Sequence, residues 1–224
     1  MTDTITKLAN KLNDLQGKKV LVLGDIMLDR YQYGVVERIS PEAPVPVVRI
    51  DEEEFRLGGA GNVAQNISTL GGAPFLIGIC GQDNAGNYLK DILKNRDIDY
   101  QITQNSAWLT TVKTRVMAKG QQIVRIDREK KDPPNEAIKL EVEKILKECM
   151  PDYDVLIISD YGKGIIYPDL LQTVLKIAEK TRTKVLIDPK VPNFHLYQHP
   201  FLITPNENEA SAGAKHNIEN LNEI

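Results

Sequence analysis

The chain has 224 residues, 42% of them hydrophobic and 26% charged, which excludes a wholly disordered polypeptide and suits one sizeable α/β domain with a small appendage. Its 28 basic and 31 acidic residues sum to a net charge of −3, so overall charge offers nothing to nucleic acid or to an anionic membrane. Cys80 and Cys149 are the only cysteines; they form neither a disulfide framework nor a metal-ligand spacing, and read as free thiols of a reducing cytoplasm.

Taken in order, residues 2–15 carry Ile5, Leu8, Leu12 and Leu15 at helical spacing. No basic, apolar leader precedes them, and no apolar run is long enough to span a bilayer, so the expected location is the cytoplasm. Residues 19–24 (KVLVLG) are a short apolar run of the kind buried on both faces of a parallel sheet. Residues 31–51 are rich in β-formers but hold Pro41, Pro44 and Pro46, which confines any strands there to an edge or a flap. A helix is expected over 62–70, a buried strand over 75–80 and a helix over 84–95.

Residues 110–128 change character again. They read as two alternating strands around Lys119-Gly120, a hairpin. Beyond Pro133-Pro134 the pattern is helix (135–149), strand (154–159), helix (168–180), strand (184–187), strand (201–203) and helix (206–214). Strands alternating with helices predict a Rossmann-like, doubly wound α/β sheet. The interruptions at 31–51 and 110–128 are expected to pair into a small β lid. The last residues resemble the start of a further helix, so the sheet is expected to be truncated at its C-terminal end, with 1–224 the N-terminal portion of one domain.

Gly58, Gly59 and Gly61 precede a helix start, where backbone N–H groups can approach a ligand closely. A tight turn alone explains them equally well. Gly59–Ala64 also fits G-x-G-x-x-A, but residues 51–56 are charged where the dinucleotide fingerprint requires a buried strand. No Walker A loop occurs in the chain. Trp108, His195, His199 and His216 belong to no catalytic or metal-ligand set.

Several weak signals in fixed order add up. Gly24-Asp25-Ile26-Met27-Leu28-Asp29 follows the first strand, and Gly58–Ala64 opens a helix. Gly81-Gln82-Asp83-Asn84-Ala85-Gly86 follows the next buried strand. Asp188-Pro189 ends a later one, and Asn206 to Glu209 form N-x-x-E. The set resembles the ribokinase (PfkB) family of sugar kinases over essentially the whole chain. Arg38–Val47, Ser159-Asp160-Tyr161-Gly162-Lys163-Gly164 and Asp188-Pro189-Lys190 are similar to its heptose 7-phosphate kinase subgroup, which in many bacteria is fused to an adenylyltransferase.

The resemblance implies a ribokinase-like fold, a homodimer formed through the lid, ATP and Mg²⁺ as cofactors, and a sugar-phosphate substrate. The implied reaction phosphorylates the anomeric hydroxyl of D-glycero-β-D-manno-heptose 7-phosphate, a step toward the ADP-heptose of the lipopolysaccharide core. By similarity, Asp29 holds sugar hydroxyls and Gly59, Gly61 and Asn62 line the sugar site. Asn206 and Glu209 organise nucleotide phosphate and Mg²⁺, Glu209 through water. Lys163 and Lys190 are candidates for the sugar's phosphate, with Arg115, Arg125 and Arg128 also eligible. Each role has a plain rival: Asp29 as a turn cap, Asp25 as a turn residue, Asn206 and Glu209 as a helix cap, the cations as solvated surface.

The family's D-T-x-G-A-G-D motif, carrying the anion hole and the catalytic base, is not in this sequence, nor is the nucleotidyltransferase H-x-G-H. The base is therefore expected beyond Ile224 and this chain is expected not to turn over alone. A kinase for another sugar or a nucleoside, and a non-catalytic binding or dimerisation module, are the alternatives.

Overall fold

The computed structural model describes residues 11–216. The expected N-terminal helix over 2–15 lies largely, and the expected start of a helix at Ile218 entirely, outside the described residues. Six strands form an all-parallel sheet: β1 (Lys19–Gly24), β4 (Ala73–Gly81), β5 (Asp99–Asn105), β8 (Val155–Ser159), β9 (Lys184–Asp188) and β10 (Leu202–Ile203). Their order across the sheet is β10-β9-β8-β1-β4-β5.

The sheet is buried on both faces because its central strands are apolar at consecutive positions. In β1, Leu21 and Leu23 point into one core cluster and Val22 into the other, all three fully buried. Helices α1 (Ala60–Thr69) and α2 (Asn84–Asn95) cover the face of Val22; α3 (Glu136–Cys149) and α4 (Pro168–Thr181) cover the face of Leu21. Asp83 caps α2 by accepting from the Gly86 N–H, and Asn135 caps α3 from Ile138. Each fully buried leucine contributes roughly 1.5–3 kcal/mol to the fold.

A second, four-stranded sheet runs β3-β2-β6-β7, from β2 (Ile26–Ile39), β3 (Pro46–Gly59), β6 (Thr111–Ala118) and β7 (Gln121–Arg128). It is the lid sheet. The first lid segment is wider than residues 31–51: β2 leaves β1 after one intervening residue, and β3 runs straight into α1. The charged stretch 51–56 is thus strand after all, but at an exposed sheet edge, where Arg30 pairs with Glu53 and Arg56 with Glu54. The strand before the glycines is therefore no member of the parallel sheet, as a dinucleotide fingerprint would need. Sequence patterning assigned no element to β5, an edge strand whose glutamines and asparagine dilute its alternation.

Candidate functional site

The parallel sheet reverses its direction of growth beside β1. The chain builds outward through β4 and β5, then returns to place β8 on the other side of β1. The carboxyl ends of such strands frame a crevice where open α/β sheets bind ligands. Here Gly24, Ser159 and Asp188 lie side by side in register. Gly24 is required by the close packing, since a Cβ would sit 2.2 Å from the Ser159 carbonyl oxygen.

Asp25 follows directly and is 3% exposed. Its Oδ2 accepts from the N–H groups of Tyr161 (2.8 Å) and Lys163 (3.0 Å), and its Oδ1 from that of Ile165 (3.3 Å). Asp160, also buried, accepts from the Gly162 N–H, from Asn193 Nδ2 and from the Tyr197 hydroxyl. The loop 160–165 is thus bound to the sheet by its own donors. Burial pushes the Asp25 carboxyl up to about 6, against the pull of the backbone N–H groups that it accepts.

Four residues on, Asp29 has a different environment. In β2 the alternating residues Met27, Asp29 and Tyr31 face a cleft of about 650 Å³ between the lid and α1. Gly58, Gly59, Asn62 and Tyr161 line it with Arg56, Arg96, Lys113, Arg115 and Arg125. Arg115 Nη1 donates to Asp29 Oδ1 at 2.7 Å. Arg56 and Arg115 both lie against the Tyr31 ring, 4.6 and 5.1 Å from its centroid. Gly59 has φ +57°, and a Cβ there would meet the Asp25 carbonyl oxygen at 2.2 Å. Only glycine lets β3 turn into α1 at that point.

The predicted residues fall into two groups. Asp29, Gly59 and Asn62 meet in the cleft. Gly61 is buried beneath it, against the Leu57 side chain. Asn206 and Glu209 form a reciprocal capping box at the start of α5 (Glu207–Ala214). Lys190 Nζ lies 3.8 Å from Glu209 Oε1. Burial first, and then the charges of Glu209 and Asp160, push the Asp188 carboxyl up. Tyr161 stands between the groups: burial raises its hydroxyl, and Asp188, Asp29 and Glu209 add to the effect.

Lys163 does not line the cleft. Its ammonium donates to Glu129 at 2.5 Å, and the N–H groups of its turn are taken by Asp25 and Asp160. The N–H groups of Tyr161, Gly162, Lys163 and Ile165 thus already have carboxylate acceptors. Arg128 projects from the other side of the lid, 3.7 Å from Asp83. Sequence reasoning missed Tyr31 and Tyr161 as cleft residues. The two-residue alternation from Asp29 to Tyr31 was the available signal for the first; nothing local announces the second.

The profile of the pfkB family carbohydrate kinases matches residues 17–224. The chain belongs to that family. Curated pfkB relatives named "Bifunctional protein HldE" include one from Helicobacter pylori, 42% identical over 193 residues, which are 86% of this chain and 42% of that protein. Another, from Histophilus somni, is 43% identical over 92% of this chain and 43% of its own length. The chain therefore spans less than half of the curated relatives it matches.

Solved structures agree on the fold. Phosphofructokinase-2 from Escherichia coli superposes with a TM-score of 0.72 at 20% identity, over 93% of this chain and 67% of that one. A carbohydrate kinase from Agrobacterium tumefaciens gives 0.64 at 19%, over 87% and 62%.

Proposed function

We propose that the chain is the sugar-binding part of an ATP-dependent kinase that phosphorylates the anomeric hydroxyl of D-glycero-β-D-manno-heptose 7-phosphate. The observation that carries this reading is the cleft itself. Asp29 offers a carboxylate to paired hydroxyls, and Gly58 and Gly59 leave the wall open to a sugar ring beside Asn62. The identity to proteins named HldE, and the loop from Ser159 to Gly164 similar to the heptose 7-phosphate kinases, favour the heptose phosphate as the sugar.

In this reading the chain binds and orients. Asp29 and Asn62 hold hydroxyls, and Tyr161 closes the wall toward the strand ends. Asn206 and Glu209 stand on the nucleotide side. Among the described residues no three acidic, His or Cys side chains converge as a direct ligand set. The carboxyls of Asp188 and Glu209 repel one another, which suits a hydrated divalent cation held through water. Mg²⁺ bound there with ATP would neutralise charge on the transferring phosphoryl group.

The lid supports a homodimer. β7 is an exposed edge strand carrying Val124 and Ile126, 45% and 56% exposed. Among the described residues no helix is long and apolar enough to cross a membrane, and we place the protein in the cytoplasm with its substrates.

Thermal-shift titration with the heptose 7-phosphate, ribose, fructose 6-phosphate and ATP–Mg²⁺ tests the reading. A ligand at a hundred times its dissociation constant adds roughly 2.7 kcal/mol of stability. Selective stabilisation by the heptose phosphate is the expected outcome. A cooperative melt that no sugar phosphate moves would refute the assignment.

A further inference from the structure

Across the cleft face of the lid, two rows of side chains run through paired strands. One is Arg56, Asp29, Lys113 and Asp127; the next is Glu54, Tyr31, Arg115 and Arg125. In the first row cations and carboxylates alternate, as cross-strand neighbours should. The second row breaks the rule. Arg115 and Arg125 are direct partners in the β6–β7 register, so two guanidinium side chains sit opposite one another. Like charges at such positions, roughly 5 Å apart at Cβ, destabilise a sheet.

Neither arginine is free in this state. Arg115 is held by Asp29, and Arg125 Nε donates to Asp127 at 2.9 Å. Asp127 also receives Lys113 at 3.0 Å. The Asp29 pairing is the telling one. A carboxylate accepts two adjacent sugar hydroxyls through both oxygens, and Arg115 already takes an acceptor position on Oδ1.

Resting on the reading of the cleft as a sugar-phosphate site, we infer that Arg115 and Arg125 form the subsite for the substrate's phosphate, and that Arg115 passes from Asp29 to that phosphate as the substrate binds. A phosphate dianion relieves the opposed arginines and accepts from both in the bidentate manner guanidinium favours. Its arrival releases Asp29 Oδ1 for the sugar. The stacking of Arg115 on Tyr31 holds the guanidinium close to both partners, so the exchange needs a side-chain swing only. An unphosphorylated sugar lacks the anion that draws Arg115 away, and meets a half-occupied carboxylate. Discrimination against free sugars then comes from Asp29 being blocked as well as from the missing phosphate contact.

The test measures binding of D-glycero-D-manno-heptose 7-phosphate and of unphosphorylated D-glycero-D-manno-heptose to this chain and to two variants. Arg125 is half-exposed, so Arg125→Gln leaves the fold intact. It should weaken the phosphorylated ligand about tenfold or more and leave the free heptose unchanged. Arg115→Gln should weaken the phosphorylated ligand and tighten the free heptose, because Asp29 is unblocked. If the wild-type chain binds the heptose phosphate and Arg125→Gln keeps the wild-type preference for it, this subsite is wrong and the sugar site stands. Equal loss of both ligands in Arg125→Gln would likewise overturn it. A folded wild-type chain that binds neither ligand would refute the sugar-site reading itself, and this inference with it.

Discussion

In the centre of the parallel sheet, Leu21, Val22, Leu23, Leu76 and Leu156 are wholly shut off from solvent. In the lid, all eight residues of β7 are exposed. The two sheets differ in backbone pairing, all parallel in the core and largely antiparallel in the lid, and are built from opposite side chains. Around the parallel sheet, buried carboxylates are satisfied by backbone N–H groups and neighbouring side chains. On the lid, charges are satisfied by each other, in ion pairs exposed at Arg49 and part-buried at Asp29 and Lys113. The carboxylates of one sheet are thus sealed, while those of the other face a cleft that a ligand can enter.

The largest expected effect would come from removing the carboxylate that binds the loop to the core sheet. Asp25→Ala leaves three buried or half-buried N–H groups without their acceptor and should cost about 3–5 kcal/mol in urea unfolding. A loss below about 1 kcal/mol would mean that the loop is not anchored there. Next, Leu156→Ala opens a cavity between the sheet and its helices and should cost about 2–4 kcal/mol.

The pH dependence of Asp25 is smaller and has a definite sign. Its folded value, about 6, lies above its unfolded value, so the fold favours the protonated carboxyl. That contribution is complete below about pH 4 and is lost as the pH rises through about 6. Relative to Asp25→Asn, wild-type stability should fall by roughly 2–3 kcal/mol between pH 4 and pH 7. Parallel profiles for the two proteins would show that burial does not govern this group.

The smallest effect belongs to the lid. Ile126→Ala removes a side chain 56% exposed and should change monomer stability by less than about 0.5 kcal/mol. In the proposed dimer this side chain is covered, so the variant should also shift toward monomer in sedimentation; an unchanged dimer would place the contact elsewhere.

The order of strands and helices was legible because each central strand is a short apolar run and each helix carries a cap or a periodic face. Asn84–Asn95 and the hairpin at Lys119-Gly120 are such cases. β5 was not legible, since an edge strand needs no apolar run. The full extent of β2 and β3 was not legible either, because a charged run reads as a strand only once its place at an exposed sheet edge is known.

By itself the sequence determined that an α/β sheet forms, that two β-rich segments interrupt it, and which glycines and carboxylates stand near strand ends. Asp25 and Asp29, four positions apart in one motif, carry the same chemistry in the sequence, and only the resemblance set Asp29 apart. Tertiary structure gives the two carboxylates different surroundings. Asp25 meets N–H groups 136, 138 and 140 residues away and is sealed beneath them. Asp29 meets Arg115, 86 residues away, on the wall of an open cleft. A carboxylate's role follows from its partners and its solvent, and only the folded chain brings partners at such separations together.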